Sequence, residues 1–81
     1  MNIEEFIVDY LQREYTIPQD VDIKKLNFVD EAYIDSLGMI NFIVELEDNF
    51  DITFTDEEIV SDEFKVVGTL TELIEKKLEN K

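Results

Sequence analysis

Apolar residues recur at helical spacing in the first and last segments of the chain. Over residues 3–15 they occupy positions i, i+3, i+4, i+7 and i+8, which form one face of a helix. A similar stripe runs through residues 64–78. Both segments therefore predict amphipathic helices that bury one side. The stripe residues are Ile3, Phe6, Ile7, Tyr10 and Leu11 in the first segment, and Val67, Leu70, Leu73, Ile74 and Leu78 in the last.

The segment over residues 36–50 is apolar on more than one face of its predicted helix. One ridge should face the core, and a second ridge, also at helical spacing, points away from the first. Such a helix is either buried centrally or offers its second ridge to a partner, and the pattern leaves both interpretations open. The core ridge is Met39, Phe42, Ile43, Leu46 and Phe50, and the second ridge is Leu37, Ile40 and Val44.

Local signals mark where the helices begin and end. Pro18 should follow the end of the first helix, because the residue before a proline is pushed out of the α region. Thr55 and Glu58 form a capping box that predicts a short helix near residues 56–61. Residues 16–34 lack clear periodicity and form a long first loop.

No period-two pattern of a strand persists anywhere in the chain. We therefore predict an all-α fold, a small four-helix bundle with three main helices, one short helix and a long first loop. Eighty-one residues are enough for one small core, so residues 1–81 are expected to form a single domain.

The chain is strongly acidic, with a net charge of -14 in 81 residues. No Lys or Arg lies between Lys25 and Lys65, an interval that is rich in Asp and Glu. Such a charge repels nucleic acid and anionic membranes and attracts basic protein surfaces. The acids are then either a solvated surface or a docking face for basic partners.

The absence of cysteine and histidine narrows the chemistry. Disulfides and thiolate nucleophiles are excluded, and a reducing cytoplasm is the simplest location. The commonest general base is missing as well. No apolar run approaches the roughly 20 residues of a membrane span, and acids stand near the N-terminus where a signal peptide has bases. We expect a cytoplasmic protein without a metal site.

Asp35 and Ser36 stand where the first loop meets the second helix. Helix starts favour both residue types because their oxygens accept hydrogen bonds from orphan N–H groups, and the helix dipole there attracts phosphate. The pair is therefore either a helix cap or the place where an exposed Ser36 hydroxyl carries a phosphate-linked arm. A lone Ser–Asp pair without a base does not make a hydrolase, so we do not predict an enzyme.

The order of these parts resembles an acyl carrier protein over nearly the whole chain. The matching residues are Phe28, Asp35-Ser36-Leu37, Leu46-Glu47-Asp48-Asn49-Phe50-Asp51, Phe54-Thr55-Asp56-Glu57-Glu58 and Val67. The resemblance implies that a separate phosphopantetheinyl transferase uses magnesium and coenzyme A to attach 4′-phosphopantetheine to Ser36. It further implies that the terminal thiol of this arm holds an acyl group as a thioester for the enzymes of fatty-acid, polyketide or related lipid biosynthesis.

The resemblance also assigns roles around Ser36, in a protein that we expect to be a monomer. Asp35 is expected to orient the transferase's metal or a basic partner group, and the second helix is expected to recognise partner enzymes. Partner contacts are implied for Leu37, Ile40 and Val44 through apolar surface, and for Asp35, Glu47 and Asp48 through salt bridges to Lys or Arg. Candidate walls of an acyl-chain cavity, for which ordinary core packing is the favoured role, are Phe28, Phe42, Ile43, Leu46, Phe54 and Ile59.

The sequence departs from the family pattern near Ser36. Tyr33 replaces a common glycine, and Gly38 and Asn41 are neutral where acids are frequent. The acidic face is thinner there, so a specialised aminoacyl or peptidyl carrier stays open beside the lipid carrier. The large rings of Phe42 and Phe54 would shrink a chain cavity and favour short cargo. Two further alternatives are an acidic protein-interaction module without the arm and a weak binder of divalent ions.

Overall fold

Four α-helices form the framework of the computed structural model, which describes residues 2–15, 17–18, 20–31 and 34–80. The helices are α1 (Ile3–Glu14), α2 (Ser36–Phe50), α3 (Asp56–Ile59) and α4 (Val67–Glu79). Two 3₁₀ turns, Ile23–Lys25 and Asp62–Phe64, lie in the connections. The described residues contain no strand and only an isolated bridge between Asn27 and Val66. The predicted all-α fold of three main helices and one short helix is confirmed.

Side-chain caps fix the starts of α1 and α3. The Glu5 N–H donates to Asn2 Oδ1 at 3.1 Å at the start of α1. At the start of α3, the Glu58 N–H donates to Thr55 Oγ1 at 3.2 Å and the Thr55 N–H donates to Glu58 Oε1 at 2.8 Å. The predicted capping box is therefore present. Helix α3 nevertheless ends at Ile59, two residues earlier than predicted, because the chain turns there toward the second 3₁₀ turn.

Helices α1 and α4 pack against each other through the stripes that the sequence predicted. Burying these apolar side chains supplies most of the driving force for folding in a domain of this size. The buried members are Ile7, Tyr10 and Leu11 on α1, and Val67, Leu70, Leu73 and Ile74 on α4.

Aromatic rings fill the centre of the bundle around Phe42 of α2. The Phe42 ring centroid lies 5.0 Å from that of Tyr10 on α1 and 5.7 Å from that of Phe28 in the first loop. It also lies 6.4 Å from the ring centroid of Phe64 in the second 3₁₀ turn. The contacts with Phe28 and Phe64 are edge-to-face, which the charge distribution of aromatic rings favours. Phe42 thus connects α2 to three other parts of the fold.

The long first loop is fixed to the start of α4. The Phe28 N–H donates to the Lys65 carbonyl at 3.0 Å, and the Lys65 ammonium lies 3.7 Å from both Asp30 and Asp62. Phe28 and Leu26 of the loop are buried in the core. The part of the loop around Leu26, Phe28 and Asp30 therefore holds a defined position on the core.

Lys77 of α4 contacts both α3 and the segment that precedes α3. Its ammonium lies 2.7 Å from Glu58 Oε1, donates to the Thr53 carbonyl at 2.8 Å, and lies 5.3 Å from the Phe54 ring centroid. Only 18% of the Lys77 side chain and 26% of the Glu58 side chain are exposed. This partly buried pair is therefore less screened by solvent than an ordinary surface ion pair.

We expect Glu58→Gln to remove a pH-dependent part of the free energy of unfolding. Burial alone would raise the pKa of Glu58, but hydrogen bonds from Lys77 and Thr55 and the charge of Lys77 outweigh it and lower the pKa. Because the folded pKa lies below the unfolded value of about 4.3, the stabilisation is fully present above that pH. It is lost as the pH falls through the folded pKa.

Urea unfolding at a series of pH values measures this effect. The difference in unfolding free energy between the wild type and Glu58→Gln should stay constant from neutral pH to about pH 5 and shrink at lower pH. Glu57→Gln, which changes the exposed neighbour, is the matched control. A wild-type-minus-variant difference that stays unchanged in strongly acidic solution would contradict the prediction.

Candidate attachment site at the start of α2

Asp35, and not Ser36, caps α2. The Gly38 N–H donates to Asp35 Oδ1 at 2.7 Å, and the Met39 N–H donates to the Asp35 carbonyl at 2.8 Å. Ser36 is consequently the first residue inside the helix. The capping role that the sequence left open for the pair therefore belongs to Asp35.

The Ser36 side chain is exposed, and nothing in the described part of the chain hydrogen-bonds to its hydroxyl. The N–H groups of Ser36 and Leu37 have no acceptor one turn earlier in α2, since they lie in its first turn. The positive end of the dipole of this 15-residue helix adds to their effect. The position therefore suits a phosphate ester on the Ser36 oxygen, so the residues present fit an attached phosphopantetheine arm.

The Tyr15 side chain lies against the start of α2, beside Gly38. Helix α1 ends at Glu14, and Tyr15 continues in an extended conformation with its side chain packed against the core. A Cβ on Gly38 would collide with the Tyr15 hydroxyl and would lie 3.0 Å from Asp35 Oδ1. Burial raises the pKa of Tyr15, and the charges of Asp35 and Glu14 raise it further. Gly38 is thus the residue that allows Tyr15 to approach the cap.

We expect Gly38→Ala to destabilise the wild-type protein and to do so less in a Tyr15→Phe background. In a helix interior, alanine is more favourable than glycine by about 1 kcal/mol. The methyl group of alanine would, however, occupy the space that the Tyr15 hydroxyl fills. Overpacking of this kind costs about 1–3 kcal/mol. Removal of the hydroxyl in Tyr15→Phe relieves the collision. Urea unfolding of both single variants and the double variant gives the coupling energy, which should exceed about 0.5 kcal/mol; additive effects would contradict the prediction.

The second ridge of α2 is exposed beside Ser36. The exposed fractions are 69% for Leu37, 58% for Ile40 and 49% for Val44, whereas Phe42, Leu46 and Phe50 on the opposite side are buried. The two predicted ridges therefore face core and solvent respectively. Exposed apolar side chains that line one helix face are typical of a protein-binding surface.

The acids of α2 differ in their availability. Asp48 is exposed, whereas Glu47 is half-buried and its Oε2 accepts the Phe54 N–H at 2.9 Å. The sequence assigned both to partner contacts, but the structure gives Glu47 an additional role in holding the segment after α2.

The sequence also missed Val60, which follows α3 and is 75% exposed. No periodic pattern of the short helix marks it.

The six candidate cavity walls lie in the interior or at its edge. Phe28, Phe42 and Leu46 are fully buried, and Phe54 is buried as well. Ile43 and Ile59 are partly buried and pack against this cluster. Their packing against one another accounts for their positions, and their role as walls of an acyl cavity stays a prediction.

An open groove adjoins Ser36 on the side of the first loop. Its volume is about 400 Å³, within the range of small-molecule pockets. None of the six cavity-wall candidates lines it. The lining residues are Val29, Ile34, Asp35, Ser36, Met39 and Ile40.

The described residues contain neither a metal-binding cluster nor a membrane-spanning helix. Among residues 2–15, 17–18, 20–31 and 34–80, no three acidic side chains converge in a way that holds a metal ion. The described residues therefore offer no site that would support the alternative of a divalent-ion binder. No helix in the described ranges is long and apolar enough to cross a bilayer. Tyr33, one of the departures from the family pattern, lies outside the described residues.

Comparison with known proteins agrees with this geometry. Residues 5–74 match the family model described as a phosphopantetheine attachment site. A D-alanyl carrier protein of Streptococcus uberis is 36% identical over 81 residues, which cover 99% of each chain. An acyl carrier protein of Buchnera aphidicola is 33% identical over 76 residues, covering 94% of this chain and 92% of the relative. No solved structure gives a significant match.

The small helical bundle, with a serine at the start of its second helix, thus defines a carrier domain that bears a covalent 4′-phosphopantetheine group. The chain belongs to the acyl carrier protein family. Members of this family carry their cargo and leave the chemical steps to other enzymes.

Proposed function

We propose that Ser36 is the attachment residue and that this protein carries acyl groups as thioesters on the arm. The observation that supports this best is the exposed Ser36 hydroxyl, which has no structural role because Asp35 caps the helix. Phosphate on this oxygen lies at the positive end of α2. Residues 1–81 then act as one domain.

Activation of Ser36 comes from a separate phosphopantetheinyl transferase. The chain contains neither His nor Cys, and nothing in its described part contacts the hydroxyl as a base. In the loading step, the Ser36 oxygen bonds to the phosphorus of the phosphopantetheine part of coenzyme A. The adenosine 3′,5′-diphosphate part leaves, and the transferase accepts the hydroxyl proton. Asp35, beside the serine, is positioned to meet the transferase's magnesium or a basic side chain.

The exposed face of α2 serves as the partner surface. Leu37, Ile40 and Val44 supply apolar contact area, and Asp35 and Asp48 supply negative charge at its edges. Glu47 also contributes negative charge, although one of its carboxylate oxygens accepts the Phe54 N–H. Because the chain carries a net charge of -14, basic surfaces of the transferase and of acyl-transferring or condensing enzymes are attracted to it. The protein acts as a monomer in the cytoplasm and binds no nucleic acid.

A specialised aminoacyl carrier is the second candidate function. It is favoured by the D-alanyl carrier protein that is 36% identical over 99% of this chain. The aromatic core around Phe42 agrees with small cargo, because a filled interior leaves little room for a long acyl chain. A lipid or polyketide carrier and an aminoacyl carrier share the arm and differ in what the thiol holds.

Intact-mass analysis tests both levels of the proposal. Protein incubated with coenzyme A, magnesium and a promiscuous transferase should gain the mass of one phosphopantetheine, and peptide fragmentation should place it on Ser36. Protein isolated from its native cell should show the arm together with its cargo, which distinguishes a fatty acyl group from an amino acid. A serine that stays unmodified would instead favour the acidic interaction module without the arm.

A further inference from the structure

We propose that the groove beside Ser36 holds the pantoyl part of the attached arm, the segment that bears two geminal methyl groups. The inference rests on the proposed function, since it takes Ser36 as the attachment residue. It adds a binding site for the arm on the carrier itself, outside the core and on the loop side of α2. The groove residues that would contact the methyl groups are Val29, Ile34, Met39 and Ile40.

The chemistry of the arm matches the position of the groove. In 4′-phosphopantetheine, one methylene separates the phosphate oxygen from the carbon that carries both methyl groups. The first apolar group of the arm therefore lies only a few bonds from the Ser36 oxygen. Ser36 itself lines the groove, so this apolar group reaches the groove without stretching the arm across the surface. Tethering also gives the pantoyl group a high effective concentration there.

The walls of the groove are apolar, and most of them pack against the core. Ile34 is 6% exposed, and Val29 and Met39 are partly buried and pack against the core cluster. Ile40 forms the rim and is 58% exposed in the free chain. The thioether of Met39 adapts readily to the shape of an apolar ligand. Burying the two methyl groups against these side chains removes apolar surface from water on both partners.

The one charged residue of the groove does not oppose this occupant. Asp35 Oδ1 accepts the Gly38 N–H at 2.7 Å, which directs that oxygen toward the helix start. The hydroxyl and amide groups of the arm follow the methyl-bearing carbon and remain free to face solvent. The groove therefore offers apolar contact where the arm is apolar. Leu37 and Val44, which do not line the groove, remain exposed for partner proteins.

Methyl NMR of the loaded protein tests the inference. The chain has two methionines, so labelling methionine methyls gives a signal for Met39 that is readily assigned against Met1. In the phosphopantetheine-loaded protein we expect nuclear Overhauser contacts from the pantoyl methyls to Met39 and Ile34. The Met39 signal should also shift between unloaded and loaded protein. An arm analogue of equal length without the two methyl groups should load and shift the Met39 signal less, because only the effect of the phosphate charge remains.

Two exposed-site variants provide the matched comparison. Ile40→Ser removes the rim and should weaken the contacts and sharpen the pantoyl methyl lines, whereas Val60→Ser, which changes an exposed apolar residue outside both the groove and α2, should leave both unchanged. Intact mass must first show one arm per chain. If the wild type gains no arm, the proposed function fails; if the wild type gains the arm but its methyl groups show free-arm lines and no contact with Met39 or Ile34, only this inference is overturned.

Discussion

Ser36→Ala is expected to abolish uptake of the 4′-phosphopantetheine arm and to leave the fold intact. The variant removes the only atom that the transferase can link to phosphorus at this position, so the loss should be complete. The free energy of unfolding should change by no more than about 0.5 kcal/mol, because the hydroxyl is exposed and Asp35 supplies the helix cap. Intact mass after the transferase reaction and urea unfolding measure the two effects.

Ser61→Ala is the matched control for this experiment. The Ser61 hydroxyl donates to the Glu58 carbonyl at 2.6 Å, so its loss should cost about 1 kcal/mol of stability without affecting loading. Ser36→Ala should therefore abolish loading and keep stability, whereas Ser61→Ala should lower stability and keep loading. An arm on Ser36→Ala, attached at any other residue, would remove the site assignment. A large loss of stability in Ser36→Ala would show that the hydroxyl has a structural role after all.

The helix faces were predictable from sequence because helical periodicity is a local property. The spacing of Leu37, Ile40 and Val44 separated them from the core ridge, and their exposed fractions of 69%, 58% and 49% agree with that prediction. The capping box of Thr55 and Glu58 was equally accessible, since it needs only four consecutive residues. Signals of this kind depend on neighbours along the chain and on nothing else.

The division of roles between Asp35 and Ser36 was not accessible in the same way. Both residue types cap helices, so the sequence could not say which side chain accepts the Gly38 N–H. The approach of Tyr15 to Gly38 joins residues 23 positions apart and depends on how α1 packs on the loop. Likewise, the hydrogen bond from Phe54 to Glu47 depends on where the chain goes after α2.

The residues around Ser36 hold the start of α2 in place. Asp35 supplies the cap, Gly38 leaves space for Tyr15, and Ile34 is buried next to them, so a hydrogen bond and packing both support the start of α2. Ser36 takes no part in that support. We therefore expect the start of α2 to keep its structure when the Ser36 side chain is changed.

Phe42→Ala is expected to lower the free energy of unfolding by about 3–5 kcal/mol, the usual cost of truncating a buried aromatic ring. The ring is fully buried and contacts those of Tyr10, Phe28 and Phe64, so little of the space can close again. Urea unfolding measures the loss. Phe42→Leu, which leaves a smaller cavity and should cost about 1–3 kcal/mol, keeps the test informative if the alanine variant is too unstable to study.

The same variants test whether the interior accepts an acyl chain. In the wild type, an octanoyl group on the arm should stabilise the protein no more than an acetyl group, because aromatic rings already fill the core around Phe42. In Phe42→Ala the octanoyl chain has an apolar cavity to occupy and should restore part of the lost stability, since a dry cavity binds apolar ligands and binding to the folded state stabilises it. Urea midpoints of acetyl- and octanoyl-loaded proteins give the comparison. If octanoyl stabilises the wild type as strongly as the variant, the core opens for long chains and the expectation of short cargo is wrong.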